Sequence, residues 1–453
     1  MREPRDEPGI EHYDAVVVGA GLGGLSAGMH LAGAGLRVAL IESAHRVGGL
    51  CGTHWIDGRE YVIACNDFGK AMPRWLKAAG APVAFSRCST RILHRNRWFS
   101  LPPDLRTIGR LLPHLGDVWR YARGLRAAKA AGYRDHASLG ALVDAVVRDP
   151  MVADLLKLPG YLMGVSPQRL RLDALNHEFE YGYGYAQPMT PDGGPQAMAD
   201  AMADLVRRNG SVRVGTRYLR AEPLPDGGHR VQTDHGVLLC RHLVEATGEE
   251  PDDTVSFPRG LPLSMFCMTL SSRFRYPKGV HTCVYYPPGV SQWFSALEHG
   301  ELPEDFGFHV FPSHLSSSSP DEYGLNLYLY LPEGQDAPDE AMLSRVERRV
   351  FDRLDTMLPG LREAVIARHF VSAQAFRERH GLSSRVLPTI SPAGFDKPSN
   401  YDASRDVFRA GAAFDPPGDH GSAAVLSGRR VAERIGRVRR EAGLPWSPGW
   451  QDA

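Results

Sequence analysis

An excess of either charge is absent: Lys+Arg and Asp+Glu both total 52 in 453 residues, so the net charge is zero. That removes the basic surplus a nucleic-acid binder presents on some face. Lysine itself is scarce, at positions 70, 77, 129, 157, 278 and 397 only. The six cysteines are scattered and form no C-x-x-C pair. They read as buried thiols in a reducing compartment rather than zinc ligands, and no metal site is expected. The charged opening MREPRDEPGIEHYD has no apolar run, so no secretory signal is expected and the chain is placed in the cytoplasm. HExxH, a P-loop and a Ser-His-Asp signature are all missing. One run, Ala15 to Leu36, carries no formal charge and has the length of a membrane span. Its glycines and alanines have another explanation.

What is present is globular: 43% hydrophobic and 23% charged residues, in a chain long enough for two or three domains. Tyr13 to Val18 (YDAVVV) is a β-branched run with the pattern of a buried parallel strand. It runs straight into Gly19-Ala20-Gly21-Leu22-Gly23-Gly24, then an alanine-rich helical stretch from Ser26 to Gly35. A second strand, RVALI, follows and ends at Glu42. In a G-x-G-x-x-G turn the first glycine permits the bend and the second lets the backbone approach a pyrophosphate. The third lets helix and strand pack closely, and the helix N-terminus faces the phosphates. Glu42, 18 residues beyond Gly24, is placed to bond a ribose diol. Strand, turn, helix, strand and terminal acid together predict dinucleotide binding, with a nucleotide-free βαβ unit as the plainer reading.

Glu42 disfavours NADP but suits NAD or FAD. The following S-A-H-R-V-G-G-L decides. With Arg46, Gly48, Gly49 and Leu50 it resembles the E-x5-G-G element of the flavoprotein superfamily that includes amine oxidases and phytoene desaturases. There the second glycine pair comes up to the FAD phosphates. A second glycine cluster, RAGAAFDPPGDHGSAAVLSG at 409–428, resembles the C-terminal return of that superfamily's discontinuous FAD domain. Gly411-Ala412 and Ser427-Gly428 match its two ends and Pro417-Gly418 and Gly421 its middle, with about one extra residue, in the phytoene desaturase branch more than in amine oxidases; the helix that follows starts near Ser422, which with Gly421 is expected at the cofactor. PDGGPQAM at 191–198 is similar to the family's P-x-G-G element, and 211–236 reads as a β-meander in which Tyr218 is expected at the adenine. RHLVEATG, with Thr247 and Gly248, resembles the strand that closes the FAD lobe. Leu50 stands where relatives carry Arg or Lys. Tyr61-Val62-Ile63-Ala64 stands where they carry F-D-x-G, so a carotenoid substrate is not implied.

The resemblance implies an α/β (α+β) fold. A discontinuous Rossmann-type FAD-binding domain is expected from 12–95, 190–250 and 385–440. A mixed-sheet and helical substrate domain is expected from 96–189 and 251–384, with tails at 1–11 and 441–453. FGFHVF and YGLNLYLYLP alternate like strands of a cavity wall. Tyr181, Tyr183 and Tyr185, at period two, suggest a strand with all three on one side, either lining the cavity or packing. Leu105 to Tyr133 interleaves Arg106, Arg110, Arg120, Arg123, Arg126 and Lys129 with apolar residues. It reads either as a lid helix with its apolar side on the core or as a peripheral contact with an anionic membrane. Scattered residues such as His54, His281, Trp293 and His309 read as structural.

The implied function is an FAD-dependent oxidoreductase that moves hydride between a substrate carbon and flavin N5. Its expected partner is an apolar or polyene-like small molecule in which a C–C bond is desaturated or isomerised. Asp419 and His420, at the start of the last helix, are expected near the flavin, with Tyr185 as a further catalytic candidate. The alternatives are an amine or amino-acid oxidase, for which Lys278 is the one suitably placed lysine, and a catalytically silent flavin-binding partner subunit.

Overall fold

The computed structural model describes residues 10–64, 67–133, 138–181, 184–247, 260–313, 321–380, 396–418 and 421–447. β1 (Ile10–Val18) is flanked by two parallel neighbours, β2 (Val38–Ile41) and the strand Gly236–Glu245. Both faces of such a strand are covered, which is why VVV and VALI are continuous apolar runs that are wholly buried. The eight-stranded sheet extends on one side to Gly210–Arg213 and on the other through the meander His229–Thr233 and Tyr218–Pro223. Val407–Arg409 joins it parallel to Gly236–Glu245. Three distant parts of the chain therefore share one sheet.

α1 (Leu22–Gly33) is buried on all sides. It is packed between the sheet, the helix Gly194–Arg207 and the C-terminal helix Gly421–Glu441. Gly28 allows the approach: a Cβ there would lie 3.2 Å from both Leu40 and Val206. The charge-free run Ala15 to Leu36 is thus a strand and its helix, not a membrane span. Among the described residues no helix is long and apolar enough to cross a membrane.

A second, seven-stranded sheet has the order Val365–Val371, Leu263–Ser271, Glu322–Tyr330, Phe308–Ser313, Val280–Tyr285, Ser89–His94 and Arg97–Leu101. FGFHVF and YGLNLYLYLP supply two of its antiparallel strands. Ser89–His94 also pairs here, although residues up to 95 were expected in the first domain. The chain crosses over earlier, at Phe85–Arg87, which pairs with Met189–Pro191 on the way back. Beyond that crossing Ile92 and Leu93 are buried in the second core.

The helices Leu115–Ala130, Leu139–Val146, Pro150–Leu162 and Leu172–Tyr181 contribute to a third, helical core. The strand expected for the three tyrosines is instead the end of the helix Leu172–Tyr181 followed by a 3₁₀ turn, Gly184–Ala186. Leu172 and Leu175 bury into the helical core and impose a period near 3.6 that overrides the alternation. Tyr183 lies outside the described residues.

Candidate functional site

The carboxyl end of β1 delivers Gly19, whose φ is +97°; a Cβ there would lie 2.5 Å from the Ala246 carbonyl oxygen. Gly24 allows α1 to sit on the turn, since its Cβ would come within 1.9 Å of the Gly19 oxygen. Gly21 differs: nothing lies within 4 Å of its Cβ position, so it borders open space. The second glycine pair closes on this turn. Gly48 N–H donates to the Ala20 carbonyl at 2.8 Å, and a Cβ on Gly49 would lie 3.0 Å from Gly21 Cα. The C-terminal cluster reaches the same place, because a Cβ on Gly23 would lie 2.6 Å from Gly411 Cα. Two glycine clusters nearly 400 residues apart are thus the halves of one backbone contact. α1 starts here with no side-chain cap and no acid in its first turn. Its unpaired N–H groups and positive dipole end suit an anion. Leu22 is buried beneath the turn.

Glu42 follows β2 and is half-buried. Its carboxylate accepts the backbone N–H of Ala20 at 2.7 Å and of Ala44 at 2.8 Å. Glu42 N–H donates to the Arg213 carbonyl, and Thr216 N–H donates back to Glu42, both at 2.8 Å. Residues 213–216 therefore form the rim beside the acid. Tyr218, two residues on, donates its hydroxyl to Glu245 at 3.3 Å, and burial pushes its phenol up to about 12. Arg46 turns to the hairpin Thr53–Val62 and donates to Thr53 Oγ1 at 2.6 Å; desolvation lowers its guanidinium pKa. Leu50 packs against the second core. Thr247 is exposed beyond its strand. Ala412 is half-buried after Gly411, Gly421 opens the last helix and Ser422 is buried in it. Gly248, Asp419 and His420 lie outside the described residues.

Two residues not anticipated hold the C-terminal turn. Lys397 donates to the carbonyls of Ala412, at 2.5 Å, and Gly418. Asn400 donates to the carbonyls of Arg409 and Asp415 and to Ser427 Oγ, which accepts Gly411 N–H at 3.1 Å. A lone lysine in a lysine-poor chain, just ahead of the return strand, was the available signal. Lys278, by contrast, is exposed in a turn, which removes the lysine that favoured an amine-oxidase arrangement.

A second polar group lies on the seven-stranded sheet, where it packs against the hairpin Thr53–Val62. The hairpin leaves the glycine cradle through Ile63, whose N–H donates to the Gly52 carbonyl at 2.9 Å. The seven-stranded sheet grips the same segment: Asn326 donates to the Val62 carbonyl at 2.6 Å, and the Tyr328 hydroxyl donates to that of Ile63. On the neighbouring strand His309 is buried, with Nδ1 3.2 Å from the Tyr161 hydroxyl and Nε2 3.3 Å from that of Tyr185. Burial pushes its imidazole down to about 3, so it is neutral, one nitrogen donating and the other accepting. The half-buried Tyr185 is therefore the outer end of a Tyr–His–Tyr chain. Asp67 is 9% exposed, and its Oδ2 has no hydrogen-bond partner among the described residues. A Cβ on Gly184 would lie 2.9 Å from that oxygen, and its charge acts on His281. Among the described residues no group of His, Cys, Asp and Glu could hold a metal ion.

Residues 17–67 match an NAD(P)-binding Rossmann-like domain. The neurosporene-forming phytoene desaturase of Cereibacter sphaeroides is 24% identical over 522 residues, covering 97% of this chain and 98% of that one. An oxidoreductase from Methanosarcina mazei superimposes with a TM-score of 0.66 at 16% identity, over 92% of this chain and 99% of the other. A triple mutant of putrescine oxidase gives 0.63 at 16% identity, over 95% and 100%. The chain shares its fold with these two structures, an oxidoreductase and a putrescine oxidase. In sequence it is related along its full length to the desaturase. The cradle, the meander and the C-terminal return are thus parts of a shared Rossmann-type architecture with a second sheet beside it.

Proposed function

We propose that the chain is an FAD-dependent oxidoreductase acting on an apolar or polyene-like small molecule, which it desaturates or isomerises at a C–C bond. The observation that carries this is the three-way glycine contact. An NAD site needs the first turn alone, whereas here Gly48-Gly49 and Gly411 close on it from two sides. The residues fit the cofactor: open space at Gly21 for a pyrophosphate, the α1 N-terminus for its charge, and Glu42 for a ribose. When bound, FAD supplies the hydride-accepting centre at N5. Around it the chain's own residues bind, orient and exclude water. Gly411, Ala412, Gly421 and Ser422 form the C-terminal side of the cradle, braced by Lys397 and Asn400. Asp419 and His420, which directly precede the last helix in sequence, are the proposed polar groups, and Tyr185 is the proposed donor or acceptor beside the second sheet, held by His309.

The relation to the desaturase favours the apolar substrate. A second reading, an amine oxidase, is favoured by Asp67: a buried carboxylate with an unpartnered oxygen suits an ammonium group. The test is anaerobic titration of the purified yellow protein with polyenes and with primary amines, following flavin bleaching. Bleaching by a polyene supports the first reading and bleaching by an amine the second. A flavin that neither compound reduces, in a protein that also leaves the polyene's double-bond geometry unchanged, supports a silent partner subunit. A colourless protein that takes up NAD and ignores FAD would remove the proposal altogether.

A further inference from the structure

The segment 105–130 turns its bulkiest apolar side chains outward. It folds as the helices Leu105–Leu111 and Leu115–Ala130 joined by a 3₁₀ turn, Leu112–His114. Leu105, Ile108, Leu112, Leu115 and Trp119 are 46% to 87% exposed. Their spacing of three and four residues puts them on one stripe. They are half of the ten large exposed hydrophobic residues among those described. The inward side is modest by comparison: Thr107, Asp117 and Ala128 are buried, with Tyr121 and Leu125 packed on the helical core. A solvated lid would have the opposite arrangement.

Cations accompany the stripe. The segment holds Arg106, Arg110, Arg120, Arg123, Arg126 and Lys129 against one acid, Asp117, with a second, Asp104, as its N-cap. Both acids are engaged: Asp104 caps Thr107 N–H at 2.7 Å, and Asp117 accepts Arg120 and the Arg148 N–H. Arg106, Arg123, Arg126 and Lys129 are exposed. The Arg123 guanidinium lies over the Trp119 ring, 5.4 Å from its centroid.

We propose that this face docks on an anionic lipid bilayer, with Leu105, Ile108, Leu112, Leu115 and Trp119 entering the headgroup region and the cations held at its surface. Apolar stripe, interfacial tryptophan and flanking arginines are what such a surface selects. A second copy of the chain fits poorly, because a two-fold contact would bring two cationic stripes together. The docking deepens the reading of an apolar substrate, since Tyr121, Leu125 and Tyr185 pack on the same helical core.

The experiment is co-sedimentation of the full chain with phosphatidylcholine vesicles, with and without phosphatidylglycerol. Leu112→Ser/Leu115→Ser and Arg123→Glu/Arg126→Glu serve as variants, and unchanged melting curves confirm that they fold. Expected are binding to the anionic vesicles that weakens with salt, and a loss of at least tenfold in either double variant. Wild-type protein that stays in the supernatant, or variants that bind as well as wild type, would overturn the docking face. So would a lipid-free dimer that the same substitutions dissociate, which would assign the stripe to a second copy. Vesicle binding by a protein whose flavin only amines reduce would uphold the docking and overturn the apolar substrate.

Discussion

Gly21→Ala and Gly23→Ala differ by two positions in one turn, yet they should fail in different ways. At Gly21 the backbone has φ −69° and ψ 175°, which alanine adopts freely, and no atom lies within 4 Å of the new methyl. The apo fold should tolerate it, and the restricted unfolded chain adds about 0.4–1 kcal/mol of stability. The methyl instead enters the space a pyrophosphate would fill. FAD affinity should drop at least tenfold, roughly 1.4 kcal/mol, and further for Gly21→Val. At Gly23 the methyl would meet Gly411 Cα at 2.6 Å and Gly411 N at 2.7 Å. These are backbone atoms that cannot rotate away. Such overpacking costs about 1–3 kcal/mol, or roughly 2–12 °C in Tm at about 2–4 °C per kcal/mol for a domain of 150–250 residues. The assay pairs calorimetry of the deflavinated proteins with fluorescence titration of FAD. Wild-type FAD affinity in Gly21→Ala, or equal apo destabilisation in the two variants, would refute the assignment of Gly21 to the ligand and Gly23 to the fold.

Glu42→Ala should weaken FAD binding by about 1.5–3 kcal/mol, the range for a hydrogen bond to a charged group; an unchanged dissociation constant would take the ribose away from Glu42. Asp419→Asn and His420→Ala should retain flavin and melting temperature but slow flavin reduction, and unchanged stopped-flow rates in both would leave that loop as scaffold. Burial holds His30 and His242 down to about 4 and His309 to about 3. Each binds a proton more readily when unfolded, so stability is lost as pH falls below about 6.5. The urea midpoint should be lower at pH 5 than at pH 7, and a flat profile would contradict the neutral buried imidazoles. Desolvation raises the Cys240 and Cys267 thiols to about 12 and Cys283 to about 11; alkylation of the native protein at pH 8 should leave all three unmodified.

The cradle was legible because its physics is local. A glycine that borders a ligand, a helix start and an acid at a strand end occupy neighbouring positions in the chain. The C-terminal turn was legible only through its resemblance, since nothing local announces that Gly411 will touch Gly23. Tyr181 and Tyr183 misled because alternation over five residues is weak against a preceding helix whose leucines are already committed to a core. The Tyr161–His309–Tyr185 chain was illegible for a different reason. Its members come from a helix, a strand and a turn up to 148 residues apart, and each alone looks like packing. The direction of the 105–130 stripe could not be read either, because an amphipathic pattern shows that two faces exist but not which one the fold covers.

The junction of the two glycine clusters also sets a timetable. Ser26 of α1 donates to the Val425 carbonyl at 2.6 Å, across 399 positions of chain, and Gly428 sits where any Cβ would strike the Gly23 oxygen. At a ribosomal pace of about 5–20 residues per second, α1 waits roughly 20–80 s for the helix that covers it. During that interval the side of α1 that the last helix covers stays open, although the helix Gly194–Arg207 emerges earlier and covers another side. The nascent chain should engage a ribosome-associated chaperone until the last helix emerges, and release should coincide with the ability to retain flavin.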